Sequence, residues 1–199
     1  MAKAAPPKGT KVATKTKPAA AAKTAAKKPA AAKPSPKAKT SAAGDALPSA
    51  GSKAPAFSLP ADDGSTVSLK SLAGKKAVLY FYPKDDTPGC TTEGIAFSAL
   101  KKKFDAANTV VLGISKDSIE KHCKFRDKHN LTVRLLSDEE GKMLEAYGVW
   151  AEKSLYGRKF MGINRTTFLI DEKGVIRRVW PKVKVNGHAE EVLAAAKDL

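Results

Sequence analysis

The chain has 199 residues, with 36 lysines and arginines against 20 acidic residues, which gives a formal net charge of +16. Residues 1–50 contain eleven lysines and one acid, so this segment carries +10 and the rest of the chain +6. This uneven charge predicts one globular domain over residues 51–199 behind a basic tail. The sequence has no apolar run of the roughly 20 residues that a membrane-spanning helix needs, so we expect no membrane partner.

The cysteine and histidine content excludes further classes of protein. Cys90 and Cys123 are too few for a disulfide scaffold, and three histidines at no metal-ligand spacing argue against a metal site. The first residues lack the compact apolar stretch of a secretory signal. We therefore expect a cytoplasmic protein in a reducing compartment, where a cysteine serves chemistry or packing. A nuclear or nucleoid-associated location is the alternative.

The segment over residues 1–50 is a low-complexity mixture of Lys, Ala and Pro. Its seven prolines interrupt any helix, and it has no aromatic side chain to bury, so we expect a disordered tail. A polycation of this kind attracts phosphate backbones without reading their sequence. Non-specific nucleic-acid contact and simple solubilisation are the two interpretations that composition leaves open.

Hydrophobic periodicity and turn residues predict the elements of the domain. In chain order they are a hairpin over 57–69, a buried strand over 77–82, a helix over 90–104, a buried strand over 110–114, a helix over 118–129, a strand over 135–137, a helix over 138–147, a hairpin over 166–180 and a helix over 189–198. Ser115 or Asp117 is the expected N-cap of the helix over 118–129. This order predicts an α/β fold in which helices flank a mixed central sheet.

Cys90 lies where the loop after a central strand enters a helix. The free N–H groups at a helix N-terminus favour an anion, and the thiolate is the nucleophilic form of cysteine. Lowering a thiol pKa by about two units requires roughly 2.7 kcal/mol. A helix terminus supplies about 1–2 kcal/mol, so we expect a nearby cation to supply the rest. The alternative is that Cys90 is an ordinary small buried residue.

The residues around Cys90 resemble a known family. Pro83, Thr87 and Cys90 stand in the Pro-x-x-x-Thr-x-x-Cys spacing of the peroxiredoxins, and the string over 82–93 is similar to the bacterioferritin-comigratory, or peroxiredoxin Q, branch. The segments 112–118, 135–138, 147–150 and 164–171 resemble that branch in the same order. The resemblance covers residues 51–199. It implies a thioredoxin-like fold and reduction of hydrogen peroxide and organic hydroperoxides without metal, haem or flavin.

The resemblance also implies a role for each matching residue. Cys90 would be the peroxidatic thiolate, which attacks the peroxide and becomes a sulfenic acid. Thr87 would hydrogen-bond the thiolate, and Arg165 would be the expected cation. Pro83 would screen the site from water, and Glu93 would hold the arginine. The alternatives are a helix cap for Thr87, a surface position for Arg165 and a favourable helix-dipole contact for Glu93.

The position of the resolving cysteine departs from the branch. Many members carry it five residues after the peroxidatic cysteine, where this chain has Ile95. Other members carry it on the next helix, at the position that aligns with Arg126. Cys123 lies one helical turn earlier on the same face, so we expect Cys123 to resolve Cys90. The alternative is a one-cysteine enzyme that an external thiol resolves.

The remaining expectations concern partners. A disulfide reductase of the same fold is disfavoured because Thr87 occupies the first position of a Cys-x-x-Cys pair. The family implies thioredoxin or a similar thiol as the reductant, and monomers are common in the branch. The competing function is a DNA-associated protein that acts through its lysine-rich tail. Deletion of residues 1–50 separates the two, because only DNA binding depends on the tail.

Overall fold

The computed structural model describes residues 47–155 and 157–199, apart from the side chain of Leu155. The sequence predicts disorder for residues 1–50. Residues 1–46 of this segment lie outside the described residues. The strands are β1 (Ser58–Pro60), β2 (Thr66–Ser68), β3 (Lys76–Phe81), β4 (Thr109–Ser115), β5 (Arg134–Ser137), β6 (Trp150–Leu155), β7 (Arg158–Ile163), β8 (Thr166–Ile170) and β9 (Ile176–Trp180). The helices are α1 (Pro88–Ala106), α2 (Ile119–His129), α3 (Lys142–Ala146) and α4 (His188–Lys197).

Five strands form the central sheet in the order β5-β4-β3-β8-β9. Strands β3, β4 and β5 run parallel, whereas β8 is antiparallel to both β3 and β9. Every residue of β3 from Ala77 to Phe81 is buried, as its continuous apolar run predicts for a strand covered on both faces. The expected mixed sheet is confirmed.

The two faces of β3 belong to two apolar clusters, because successive side chains of a strand point to opposite faces. Leu79 and Phe81 pack in one cluster with residues of α3 and β8. Tyr80 packs in the other, which α1 and α4 cover and which also contains Cys90. Leu47, within the range expected to be tail, packs against the first cluster. The N-terminal end of α1, which carries Cys90, is thus packed in the apolar core.

Three details differ from the sequence-based expectations. The β6–β7 hairpin was not expected, because its strands carry exposed charged residues and lack the apolar alternation that identifies a strand. Helix α3 covers only part of the range 138–147. The N-cap of α2 is Ser118, because the Ser115 hydroxyl accepts the Asp117 amide proton at 3.0 Å and forms a bend before the helix.

No helix in the described part of the chain is both long and apolar enough to cross a membrane.

Candidate active site

Cys90 is the third residue of α1. The helix begins at Pro88, a residue whose fixed φ suits the first helical position. The side chain is 2% exposed and packs in the same cluster as Tyr82 and Phe125. Because it lies in the first turn, it experiences the free N–H groups and the positive end of the helix dipole. This confirms the expected position of the thiol at a helix N-terminus.

Arg165 is the cation beside Cys90. Its Nη2 atom lies 3.4 Å from Cys90 Sγ, and its Nη1 atom lies 3.4 Å from the Gly89 carbonyl oxygen. The sheet register explains the contact. Strand β8 is antiparallel to β3 with Thr166 opposite Phe81, so the residue before β8 lies beside the loop that follows β3. A side chain at Gly89 would place a Cβ 3.1 Å from Arg165 Nη2, so the glycine makes room for the guanidinium.

Glu93 lies on the other side of the guanidinium. Its Oε2 atom accepts a hydrogen bond from Arg165 Nη1, and its side chain is 1% exposed. The Oε1 atom accepts no hydrogen bond from any described residue. Burial raises the pKa of Glu93 to about 7, although the charge and the hydrogen bond of Arg165 act in the opposite direction. The buried carboxylate therefore contacts the arginine as the resemblance implies.

Thr87 and Pro83 lie in the loop between β3 and α1. Thr87 is the N-cap of α1, but its hydroxyl donates to the Lys84 carbonyl at 3.1 Å and caps no N–H group of this helix. In this conformation the hydroxyl proton is directed at the loop and not at Cys90. Pro83 follows Tyr82 directly and is exposed. The roles expected for Thr87 and Pro83 toward a thiolate remain predictions.

Cys123 lies on α2 in a different environment. It is half-buried, and its thiol donates to the Asp62 carbonyl at 3.3 Å. Arg126, at the position that aligns with the family's resolving cysteine, donates to the same carbonyl at 3.0 Å. Both cysteines are free thiols. Because Cys90 packs in the apolar cluster while Cys123 bonds to the β1–β2 turn, a bridge between them requires movement of the chain.

Sequence reasoning missed two groups near the site. Asp85, in the loop before Cys90, is buried, accepts a hydrogen bond from Tyr82 and is hydrogen-bonded to His122. The apolar spacing of α2 indicates that His122 is buried, but no local signal pairs it with a residue 37 positions earlier.

The second group is Lys153 on β6, in the hairpin that was not expected. Its Nζ donates to the Ile163 carbonyl. Burial lowers its pKa, and the Arg165 charge adds to this effect while Cys90 opposes it. Lys153 is therefore a second basic side chain, held at the end of the strand that leads to Arg165.

No three histidine, cysteine or carboxylate side chains in residues 47–155 and 157–199 are grouped as metal ligands. The chemistry offered by the described site is that of a thiol next to a guanidinium.

The chain is similar to proteins of a known family. Residues 50–179 match the model of the AhpC/TSA family. Peroxiredoxin Bcp of Bacillus subtilis is 50% identical over 141 residues, which cover 71% of this chain and 90% of the relative. The structure of Xanthomonas campestris peroxiredoxin Q is similar with a TM-score of 0.69 at 44% identity, over 71% of this chain and 90% of that one. The structure of a cysteine-to-serine mutant of Xylella fastidiosa PrxQ is similar with a TM-score of 0.73 at 38% identity, and the match covers 78% of this chain and 98% of that one.

The family model spans most of the described domain, and these relatives are matched over at least nine-tenths of their own length. The chain accordingly belongs to the AhpC/TSA family, in its Bcp or peroxiredoxin Q branch, and is a peroxidase with the thioredoxin-like fold.

Proposed function

We propose that this chain reduces hydrogen peroxide and alkyl hydroperoxides through a sulfenic acid at Cys90, which Cys123 resolves and a thioredoxin-like reductant regenerates. The contact that carries the proposal is the 3.4 Å approach of Arg165 Nη2 to Cys90 Sγ in the first turn of α1. The Xanthomonas campestris bacterioferritin comigratory protein, 44% identical to this chain, has alkyl peroxide reduction activity. This similarity supports the choice of substrate class.

The first step is attack of the Cys90 thiolate on the terminal peroxide oxygen. An S–O bond forms, the O–O bond breaks, and sulfur loses two electrons to the departing alkoxide or hydroxide, which then takes a proton from water. Arg165 stabilises the thiolate beforehand and the charge that develops on the departing oxygen. Glu93 fixes the guanidinium in the orientation that both tasks need. Rotation of the Thr87 side chain would move its hydroxyl from the Lys84 carbonyl to the Cys90 sulfur, where it would be a second hydrogen-bond donor beside Arg165.

The second step joins the two cysteines. The Cys123 thiol attacks the sulfenic sulfur of Cys90, a disulfide forms, and the sulfenic oxygen leaves as water. The half-buried position of Cys123 supports this role, as does the packing of Phe125, on the same helix, in the cluster that contains Cys90. A dithiol of the thioredoxin type would then reduce the disulfide by exchange.

Intact-mass measurement after one equivalent of hydrogen peroxide tests the proposal. The wild-type protein should lose two hydrogens, and Cys90→Ser and Cys123→Ser should both abolish this change. Addition of oxygen at Cys90 that Cys123→Ser does not alter would indicate an external resolving thiol. A protein that stays unmodified over minutes would contradict the peroxidase mechanism.

We also propose that residues 1–50 bring the peroxidase to nucleic acid. The eleven lysines of this segment carry the proposal, because a polycation binds phosphate backbones through release of counterions. Binding of a fluorescent DNA duplex should weaken steeply with salt and should be lost when residues 1–46 are deleted. Equal binding by the deleted protein would contradict this role. The peroxide reaction should not change in either protein.

A further inference from the structure

A buried set of hydrogen bonds joins the loop before Cys90 to helix α2. Asp85 Oδ2 lies 2.8 Å from His122 Nδ1, and Asp85 Oδ1 accepts from the Tyr82 hydroxyl at 2.7 Å. The His122 side chain is fully buried and that of Asp85 is 6% exposed. The Asp85 amide donates to Asp117 Oδ2 at 2.9 Å, which fixes the loop backbone as well. These contacts are separate from the Arg165–Cys90 contact.

The His122 ring has a partner at both of its nitrogens. Its Nε2 atom lies 3.2 Å from the Leu136 carbonyl oxygen, which can only accept a hydrogen bond, so this nitrogen donates. Its Nδ1 atom lies 2.8 Å from Asp85 Oδ2. Both ring nitrogens are therefore hydrogen-bonded, and the His122–Asp85 contact ties the loop to α2 inside the protein.

This hydrogen-bonded pair connects the two segments that carry the cysteines. Asp85 precedes Cys90 by five residues, and His122 directly precedes Cys123. We propose that the Asp85–His122 pair is a latch: it holds the loop on α2 and sets the rate at which oxidised Cys90 leaves its pocket to meet Cys123. His122 is thus a positioning residue for the second step, and the proposal rests on the resolution of Cys90 by Cys123 proposed above.

The latch has a consequence for overoxidation. While it is closed, the sulfenic acid stays in the pocket, where a second peroxide oxidises it to the sulfinic acid, with an alcohol or water as the other product. Opening breaks hydrogen bonds between buried polar groups, which is costly while these groups stay inside the protein. A weaker latch should therefore speed formation of the disulfide and reduce the yield of sulfinic acid.

The neighbouring residue offers a matched control. Asp86 also links this loop to α2, through contacts of 2.6 Å with Lys128 and 2.8 Å with His129, but its side chain is 47% exposed. Exposed ion pairs contribute little to stability, so the same change of Asp to Asn should have little effect there. Asp86 has φ 57°, a left-handed conformation that asparagine tolerates.

The first experiment needs no substitution. In the reduced, full-length protein the Nε2 proton of His122 is buried and donates to the Leu136 carbonyl, so it should exchange slowly with solvent in a ¹H–¹⁵N spectrum. A proton that exchanges too fast to be observed would overturn the buried pair and the latch with it.

The second experiment follows the mass of the full-length protein by rapid quench after one equivalent of hydrogen peroxide. We compare wild type with Asp85→Asn, His122→Gln and Asp86→Asn. Disulfide formation should be about tenfold faster in the two latch variants, as expected when an interaction of roughly 1.4 kcal/mol is lost, and unchanged in Asp86→Asn. In a parallel measurement with excess hydrogen peroxide, which the second oxidation requires, the yield of sulfinic acid should fall in the same two variants.

Formation of the sulfenic acid is measured in the same traces and should be equal in all four proteins, which shows that each variant is folded. Equal or slower disulfide formation in the latch variants would overturn the latch. If wild type forms the sulfenic acid but no disulfide, resolution by Cys123 fails and the latch loses its role. If wild type forms neither product, the proposed peroxide chemistry itself fails.

Discussion

At the scale of residues, the site consists of one guanidinium between a sulfur and a buried carboxylate. Arg165 contacts Cys90 through Nη2 and Glu93 through Nη1. Each contact alone would leave part of the guanidinium without a partner inside the protein, which is costly. The position of the guanidinium therefore depends on both Cys90 and Glu93, and a substitution at either residue should shift Arg165.

Glu93 should make stability depend on pH. Its pKa rises from 4.5 to about 7 on folding, because burial disfavours the carboxylate. The folded protein holds this proton more tightly than the unfolded chain, so the free energy of unfolding should fall as the pH rises from about 4.5 to about 7 and level off above that. Urea unfolding across this range should show the fall in wild type. A Glu93→Gln variant with the same slope would contradict the assignment.

Gly89 should control the position of the arginine. A Cβ at this residue would lie 3.1 Å from Arg165 Nη2, the mobile end of a side chain, so the guanidinium would move away. We expect Gly89→Ala to slow oxidation of Cys90 by about three- to tenfold, because a misplaced donor loses most of its effect. Gly94→Ala on the same helix is the control, since its Cβ would meet Leu131 instead. Equal rates in the two variants, measured by stopped flow, would count against this role.

At the scale of elements, the sequence predicted those whose burial shows as a local pattern. Strand β3 is buried from Ala77 to Phe81 and was predicted within one residue at either end. The β6–β7 hairpin could not be recognised, because most of its charged residues face solvent and the backbone pairing defines it. The spacing around Cys90 predicted a thiol at a helix N-terminus. Arg165 became a candidate only through the family resemblance, since the pairing of β8 with β3 brings it to the site.

Gly113 allows β4 to pack against β3. A Cβ there would lie 2.5 Å from the Tyr80 hydroxyl and 2.9 Å from Leu135 Cδ2, and Tyr80 is fully buried. Gly113→Ala should therefore lower the free energy of unfolding by about 1–3 kcal/mol, the usual effect of overpacking a core. Gly162→Ala is the control on another strand, because its nearest contact of 3.4 Å is ordinary. Urea unfolding of both variants should separate them, and equal stabilities would contradict the packing.

At the scale of the whole molecule, a basic segment precedes a domain that carries the peroxidase. Leu47 packs against the first apolar cluster, and the Gly51 amide donates to the Ile176 carbonyl at 2.7 Å. The domain is therefore expected to use residues that composition assigned to the tail. Composition could not reveal this, because one leucine among small and charged residues makes no pattern.

Two truncations should locate the start of the domain. Deletion of residues 1–46 should leave the thermal midpoint unchanged. Deletion of residues 1–50 also removes Leu47. It should therefore lower the free energy of unfolding by about 1 kcal/mol, because the apolar surface of Leu47 is no longer buried. Calorimetry of both proteins measures the difference. Equal midpoints in the two truncated proteins would show that Leu47 contributes nothing.

We expect the charge of Arg165 to activate Cys90 toward peroxide. The most direct test is the second-order rate constant for oxidation of Cys90 by hydrogen peroxide in Arg165→Met, with Arg158→Met as the control because Arg158 is exposed on β7. We expect Arg165→Met to lose about 100-fold or more, the usual effect of removing a donor to developing charge, while Arg158→Met keeps the wild-type constant. Far-ultraviolet circular dichroism of the three proteins shows whether each variant keeps the secondary structure of wild type. A folded Arg165→Met variant that reacts as fast as wild type would contradict the account.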